Sequence, residues 1–248
     1  MNKLWIIARK DFADAFRSRS TYIYIVVLIF LTFNYFSGYN ALVGALTQQK
    51  ASSQEIYDQS RIFLNGLANV VPMINSIFVC SIFATYSVVV EKAKRNIESL
   101  MVTPVSLRQI WMGKTLAVTL PSVIIGLAVA IIGYVILNYW VIIPQTGRFI
   151  SPEPLAIVTA IIVVPVLIFA VVSLVLYLQL VISNPRIANL VFFAIFFVLI
   201  FGVNALPGFG IRLDFSLVYL AVIVICAAVA YFLSRSLTKE KVILSSKG

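Results

Sequence analysis

Long apolar runs without a single charged residue constrain this chain more than any other feature of its sequence. A helix rises about 1.5 Å per residue, so about 20 such residues cross the roughly 30 Å hydrocarbon layer of a bilayer. Six runs reach that length, near residues 21–45, 63–90, 115–143, 155–183, 187–206 and 215–234. With 61% hydrophobic residues and a mean hydropathy of +1.02, the chain carries more apolar surface than a water-soluble domain can bury. The sequence therefore predicts a membrane protein.

The runs do not alternate between apolar and polar residues as the strands of a membrane barrel do, so we expect helices. The predicted fold is an all-α integral membrane protein, a single domain over residues 1–248. Its predicted parts are an amphipathic interfacial helix at 1–20, spans one and two at 21–90, a cytoplasmic segment at 91–114, spans three to six at 115–234, and a cytoplasmic tail at 235–248. Residues 46–62 are expected to be a solvated connection that contains a short external helix.

The basic residues indicate how the spans are oriented. Fifteen of the 19 Lys and Arg residues fall on the side that holds both termini and the 91–114 segment. The side richer in Lys and Arg is normally cytoplasmic. Both termini are therefore predicted to lie on the cytoplasmic side of the plasma membrane. The formal net charge of +10 then lies against the inner leaflet, and anionic lipids rather than nucleic acid are its expected partner.

Several catalytic classes lack their motifs. The sequence contains no GxxxxGK[ST] phosphate-binding loop, no GxSxG elbow and no HExxH helix. It has no histidine, and Cys80 and Cys226 lie inside apolar runs without a CxxC pattern, which favours packing over metal binding or a disulfide. We therefore expect a chain that is not an enzyme and that itself binds no cofactor and no metal.

The charged segment between the second and third apolar runs carries the most specific pattern. Asn96 is a suitable N-cap for a short helix whose apolar residues share one side, and Thr103-Pro104 must end that helix. Ser106 and Gln109 then form a predicted capping box that begins the next helix. Such a helix-break-helix unit can either contact a cytoplasmic partner or lie in the lipid interface, and physical reasoning alone leaves both open.

A resemblance to a known family favours the first alternative. The residues that carry it are Glu91, Ile97-Glu98, Leu100, Thr103-Pro104-Val105-Ser106, Ile110 and Gly113-Lys114. This pattern resembles the signature that type-2 ABC transporter permeases carry between spans two and three, and the predicted layout of six spans is similar to theirs as well. Arg95 and Asn96 stand where the family often has Gly-Thr.

The resemblance implies a half-permease that pairs with a second copy or a close homologue, in a family whose members mostly export. It also implies two separate cytoplasmic ATPase subunits, which would bind the ATP and magnesium, and a coupling helix at residues 96–102 that contacts them. The residues expected to serve this coupling are Glu91, Lys94, Arg95, Asn96, Ile97, Glu98, Leu100, Met101, Pro104 and Lys114.

Two other functional classes fit the same sequence. A self-sufficient channel or secondary carrier predicts flux through liposomes that contain this chain alone, without ATP. A membrane scaffold or immunity-type protein predicts partner binding and no flux under any condition. Co-purification with a soluble ATPase distinguishes the permease from both.

Overall fold

The computed structural model describes residues 13, 19–48, 52–91, 106–182, 190, 194–195, 197 and 215–235. Every regular element within these ranges is a helix, as the sequence predicts. In chain order the elements are α1 (Arg19–Gln48), α2 (Ser53–Ala84), the π-helical segment π1 (Thr85–Val90), α3 (Leu107–Leu137), π2 (Asn138–Ile142), α4 (Ile143–Thr146), α5 (Pro154–Val158), π3 (Thr159–Val163), α6 (Val164–Val181) and α7 (Phe215–Arg235).

Three continuous helical stretches among the described residues are long and apolar enough to cross a bilayer: Gln54–Ala84, Leu107–Thr146 and Pro154–Val181. They match the predicted second, third and fourth spans, and α1 and α7 cover the first and sixth. The predicted fifth span at 187–206 and the predicted interfacial helix at 1–20 lie almost entirely outside the described residues. The chain is therefore a multi-pass helical membrane protein, and its count of six spans stays a prediction.

The connection between the first two spans is much shorter than the sequence analysis expected. Residues 46–48 belong to α1 and residues 53–62 to α2, so no separate external helix occurs in the described part of 46–62. The reason is a capping box at Ser52, whose hydroxyl accepts from the N–H of Glu55 at 3.3 Å while the Glu55 carboxylate accepts from the N–H of Ser52 at 2.7 Å. This box satisfies two backbone donors and begins α2 ten residues before the apolar run.

Two of the three π-helical segments have a proline two residues beyond their end. A proline ring collides with the carbonyl four residues before it and supplies no N–H, so a regular α-turn is disfavoured there. For Pro144 that carbonyl belongs to Trp140 in π2, and for Pro165 it belongs to Ile161 in π3. The wider π-turn relieves the collision without ending the helix. The remaining segment, π1, has no such proline, because residues 91–103 contain none.

The helices pack into one bundle with two core clusters. The larger cluster joins α2, α3, α6 and α7 through residues such as Phe83, Val118, Leu167 and Cys226. The smaller one joins α1, α2 and α3, and it includes Tyr39, whose hydroxyl lies 2.7 Å from the Ser60 hydroxyl. Many large apolar side chains on the remaining faces are exposed, as expected for helices surrounded by lipid.

The helices α1, α2 and α3 and the stretch from α5 to α6 run in alternating directions, so the bundle has two distinct ends. The carboxyl end of π1 and the amino end of α3 meet at one of them, which we call the Glu91 end. The residues that follow α3 and precede α5 lie at the other, which we call the Gly147 end because Gly147 ends α4 in the left-handed conformation (φ 68°). The candidate functional segment belongs to the Glu91 end.

Candidate functional site

The predicted coupling segment is described at its two borders, Glu91 and 106–114. All but two of the predicted coupling residues lie outside the described residues, namely Lys94, Arg95, Asn96, Ile97, Glu98, Leu100, Met101 and Pro104. Their role stays a prediction. The other two, Glu91 and Lys114, are brought into contact by the fold, and the site is built around them.

The helix that leads to Glu91 ends in the widened turn π1. The backbone N–H of Glu91 donates to the carbonyl of Val88, whereas in a regular α-helix it would donate to that of Ser87. The Ser87 carbonyl accepts from Nζ of Lys114 at 2.6 Å. Glu91 therefore ends π1 in a tighter turn, and the Ser87 carbonyl at that turn contacts α3 through Lys114.

Lys114 is a buried cation that is paired with an acid. Its Nζ lies 2.8 Å from Oε2 of Glu91 and 3.5 Å from Oγ of Ser87. The Lys114 side chain is 1% exposed and that of Glu91 12%. A charged ammonium is tolerated in such surroundings only when an opposite charge and hydrogen-bond acceptors surround it. The pair therefore fastens the end of π1 to the side of α3.

The amino end of α3 is fixed by the capping box that the sequence predicts. The Ser106 hydroxyl accepts from the N–H of Gln109 at 3.3 Å, and the Gln109 side chain accepts from the N–H of Ser106 at 3.1 Å. The structure thus confirms this prediction. Lys114 follows Ser106 by eight residues, which is about 12 Å along a helix. The first two turns of α3 consequently lie farther toward the Glu91 end of the bundle than the ion pair does.

Trp111 joins the same turn of α3 to a third helix. Its indole N–H donates to the carbonyl of Ser173 in α6 at 2.9 Å. Its ring also lies edge-on to that of Tyr177, with 6.5 Å between the centroids. The sequence predicts no role for Trp111, because the partner carbonyl is 62 residues away and any helix residue could supply it. The only available signal was an indole, which needs a hydrogen-bond partner when buried.

Replacing Trp111 with phenylalanine should lower the free energy of unfolding by about 1 kcal/mol, because the hydrogen bond to Ser173 is lost. The matched control is Trp140→Phe, since Trp140 is 73% exposed and should change stability by less than about 0.5 kcal/mol. Thermal unfolding in one detergent compares the two variants. Equal shifts for both would contradict the role assigned to Trp111.

Taken together, these contacts join π1, α3 and α6 at the Glu91 end of the bundle. Residues 92–105 begin and end on this fastened group, because Glu91 precedes them and Ser106 follows them. Among the described residues there is no cluster of three or more His, Cys, Asp or Glu side chains that could hold a metal ion. The contacts of Glu91, Lys114 and Trp111 thus connect both borders of residues 92–105 to three helices.

Comparison with known proteins identifies the family. A family described as "ABC-2 family transporter protein" matches residues 5–218 of this chain. Comparison with curated proteins finds no match, and comparison with solved structures finds none either. The family match spans most of the chain, includes the whole 91–114 segment, and agrees with the apolar helices of the fold. The chain therefore belongs to the ABC-2 family of transporter proteins.

Proposed function

We propose that this chain is the permease subunit of an ATP-driven exporter, and that it receives mechanical work from separate cytoplasmic ATPase subunits through residues 92–105. The family in general works with ABC ATPase subunits, which supports the partner class. The observation that carries the proposal is the Glu91–Lys114 pair, which is 2.8 Å long and almost fully buried. It ties together the two helix ends between which residues 92–105 extend.

The proposed coupling follows from this attachment. When ATP binding closes the two ATPase subunits, residues 92–105 move with the surface that holds them. A flexible attachment would absorb that movement, whereas a buried ion pair and a buried indole hydrogen bond transmit it to π1, α3 and α6 as a unit. The conformational equilibrium shifts only if the partner has different affinities for the two states, so ATP supplies the driving energy.

The remaining parts of the proposal concern topology and assembly. Fifteen Lys and Arg residues on the side of the Glu91 end, against four on the other, support a cytoplasmic location for that end and for both termini. A second copy or a close homologue completes the path. This chain performs no catalysis and binds no cofactor, whereas ATP and magnesium belong to the partner subunits.

The double variant Glu98→Gln, Leu100→Ala tests the coupling. We expect stimulation of the partner ATPase by the permease to fall about tenfold. This corresponds to removal of an interface anchor worth about 1.4 kcal/mol. The permease is purified with its ATPase from native membranes, reconstituted into proteoliposomes and assayed for ATP hydrolysis. Its thermal unfolding should be unchanged, because the contacts of Glu91 and Lys114 are retained.

The chain offers a control with the same residue types at the same spacing. Glu153 and Leu155 lie at the Gly147 end, where Glu153 makes an exposed ion pair with Arg61 at 3.3 Å. An exposed pair contributes little to stability, so Glu153→Gln, Leu155→Ala should leave ATPase stimulation unchanged. Equal stimulation in the two double variants would overturn the assignment of residues 92–105 as the coupling segment.

A further inference from the structure

A narrow apolar groove lies in the membrane-spanning part of the bundle, near the Gly147 end. It has a volume of about 200 Å³ and lies between α2, α3 and the helical stretch of α5 and π3. The space exists because small or ring-shaped side chains line it where neighbouring turns carry Leu, Ile and Val. These residues are Ala68, Pro72, Ala130, Pro152, Ala156 and Ala160.

The side chains that line the groove offer no unused hydrogen-bond donor. Its one polar side chain belongs to Tyr134, whose hydroxyl already donates to the carbonyl of Ile150 at 3.1 Å. Water needs two or more polar partners to occupy a cavity, so it does not suit this one. An empty groove of this size would forfeit the dispersion contacts of its whole lining. The contents that fit are therefore hydrocarbon.

A pair of opposite charges lies near the groove, because Glu153 follows the lining residue Pro152 and Arg61 precedes the lining residue Ala68 on α2. Arg61, Asn65, Ala68 and Pro72 follow one another along a single face of α2, at spacings of three and four residues. Arg61 lies 3.3 Å from Glu153, and the two side chains are 53% and 48% exposed. The Asn65 side chain accepts from the N–H of Glu153 at 3.0 Å and so holds this acid beside the mouth. One continuous surface thus changes from apolar side chains to an exposed cation and an exposed anion.

We propose that this groove is a phospholipid site, in which one acyl chain occupies the apolar cleft, the lipid phosphate contacts Arg61 and the lipid ammonium contacts Glu153. A zwitterionic phospholipid carries one charge for each member of the pair. A helix from a second copy is about 10–12 Å wide with its side chains, too wide for a cavity of about 200 Å³. The inference requires the membrane location of the chain and is independent of ATPase coupling.

Photolabelling in nanodiscs tests the site. The nanodiscs contain phosphatidylglycerol and a small fraction of phosphatidylethanolamine with a diazirine in one acyl chain, and labelled peptides are identified by mass spectrometry. All acyl chains in the bilayer are equally apolar. A preference of the labelled lipid for the groove therefore arises from its head group and from the acyl chain that fills the groove. Residues 127–135 and 156–161 should be labelled about two- to fivefold more than residues 217–232 of α7, the range that an exposed ion pair supports.

Two substitutions should remove the preference. Ala130→Leu fills the groove and should reduce labelling of its wall to the level of α7, whereas Ala128→Leu, on the exposed face of the same helix, should leave it unchanged. Arg61→Gln removes a charge that is half exposed, so it should reduce the preference without changing thermal unfolding.

Other outcomes would overturn the proposal. Equal labelling of the groove and α7 in the unmodified protein would make the groove ordinary lipid-facing surface. If Ala130→Leu changed the oligomeric mass in the nanodisc and left labelling unaltered, the occupant would be a second copy of the chain. A preference that survives both Ala130→Leu and Arg61→Gln would locate the lipid elsewhere.

Discussion

Replacing Glu91 with glutamine should lower the free energy of unfolding by about 3–5 kcal/mol, because Lys114 would then be a buried charge without its acid. The Lys114 side chain is 1% exposed and cannot reach water without displacing the packing around it. Among the described contacts of Nζ, the carbonyl of Ser87 at 2.6 Å and its hydroxyl at 3.5 Å are neutral. Chemical unfolding in detergent measures the loss, and retention of unmodified stability would contradict the buried-pair account.

A double-mutant cycle separates the pair from its surroundings. Lys114→Met alone removes the buried cation and keeps an apolar side chain of similar length. Adding it to Glu91→Gln should restore most of the lost stability, since neither partner then leaves an uncompensated charge. If the two losses simply added, the residues would be acting independently and the fastening role of the pair would be wrong.

Gly126→Ala should lower the free energy of unfolding by about 1–3 kcal/mol, through overpacking between α2 and α3. A Cβ atom built on Gly126 lies 2.7 Å from the backbone nitrogen of Ser76 and 2.9 Å from its Cα. These are backbone atoms, so the clash cannot be relieved by turning a side chain, and the two helices must separate. The cost should exceed the gain of about 1 kcal/mol that alanine normally brings to a helix interior.

The matched control is Gly66→Ala in α2. A Cβ at that position meets no atom within 4 Å, so only the helix propensity changes and stability should stay the same or rise. Thermal unfolding of the two variants in the same detergent gives the comparison. If Gly126→Ala were as stable as Gly66→Ala, the close crossing of α2 and α3 would be wrong.

Local features of this fold could be predicted from sequence because their causes are local. Apolar length alone located the second, third and fourth spans, and the Ser106-to-Gln109 spacing located the beginning of α3. The same spacing from Ser52 to Glu55 could have located the beginning of α2. Apolar length does not reveal this beginning, because a capped helix can begin in polar residues ahead of the apolar run.

The contacts that define the candidate site are of a different kind. Glu91 and Lys114 were both predicted to serve coupling, but their pairing depends on how α2 and α3 align across 23 residues. The bond from Trp111 to Ser173 depends on the position of α6, and the close approach of Gly126 to Ser76 depends on the crossing of two helices. Periodicity within one helix carries no information on these alignments. The groove beside Arg61 depends likewise on segments that are distant in sequence.

The buried pair and residues 92–105 have complementary roles in the proposed mechanism. In that mechanism residues 92–105 would contact the partner, whereas Glu91, Lys114 and Trp111 would hold the helices that receive the movement. A substitution in the first group should alter coupling and leave unfolding unchanged, as proposed for Glu98 and Leu100. A substitution in the second group should alter both, because it loosens the attachment and destabilises the bundle.

The central claim is that residues 92–105 contact an ATPase subunit, and site-specific cross-linking from residue 100 tests it most directly. A photoreactive benzophenone side chain replaces Leu100 in native membranes, and the same side chain replaces Leu155 at the Gly147 end as the control. We predict that irradiation joins position 100, and not position 155, to a soluble subunit that hydrolyses ATP. Products at position 100 that contain only lipid would contradict the account.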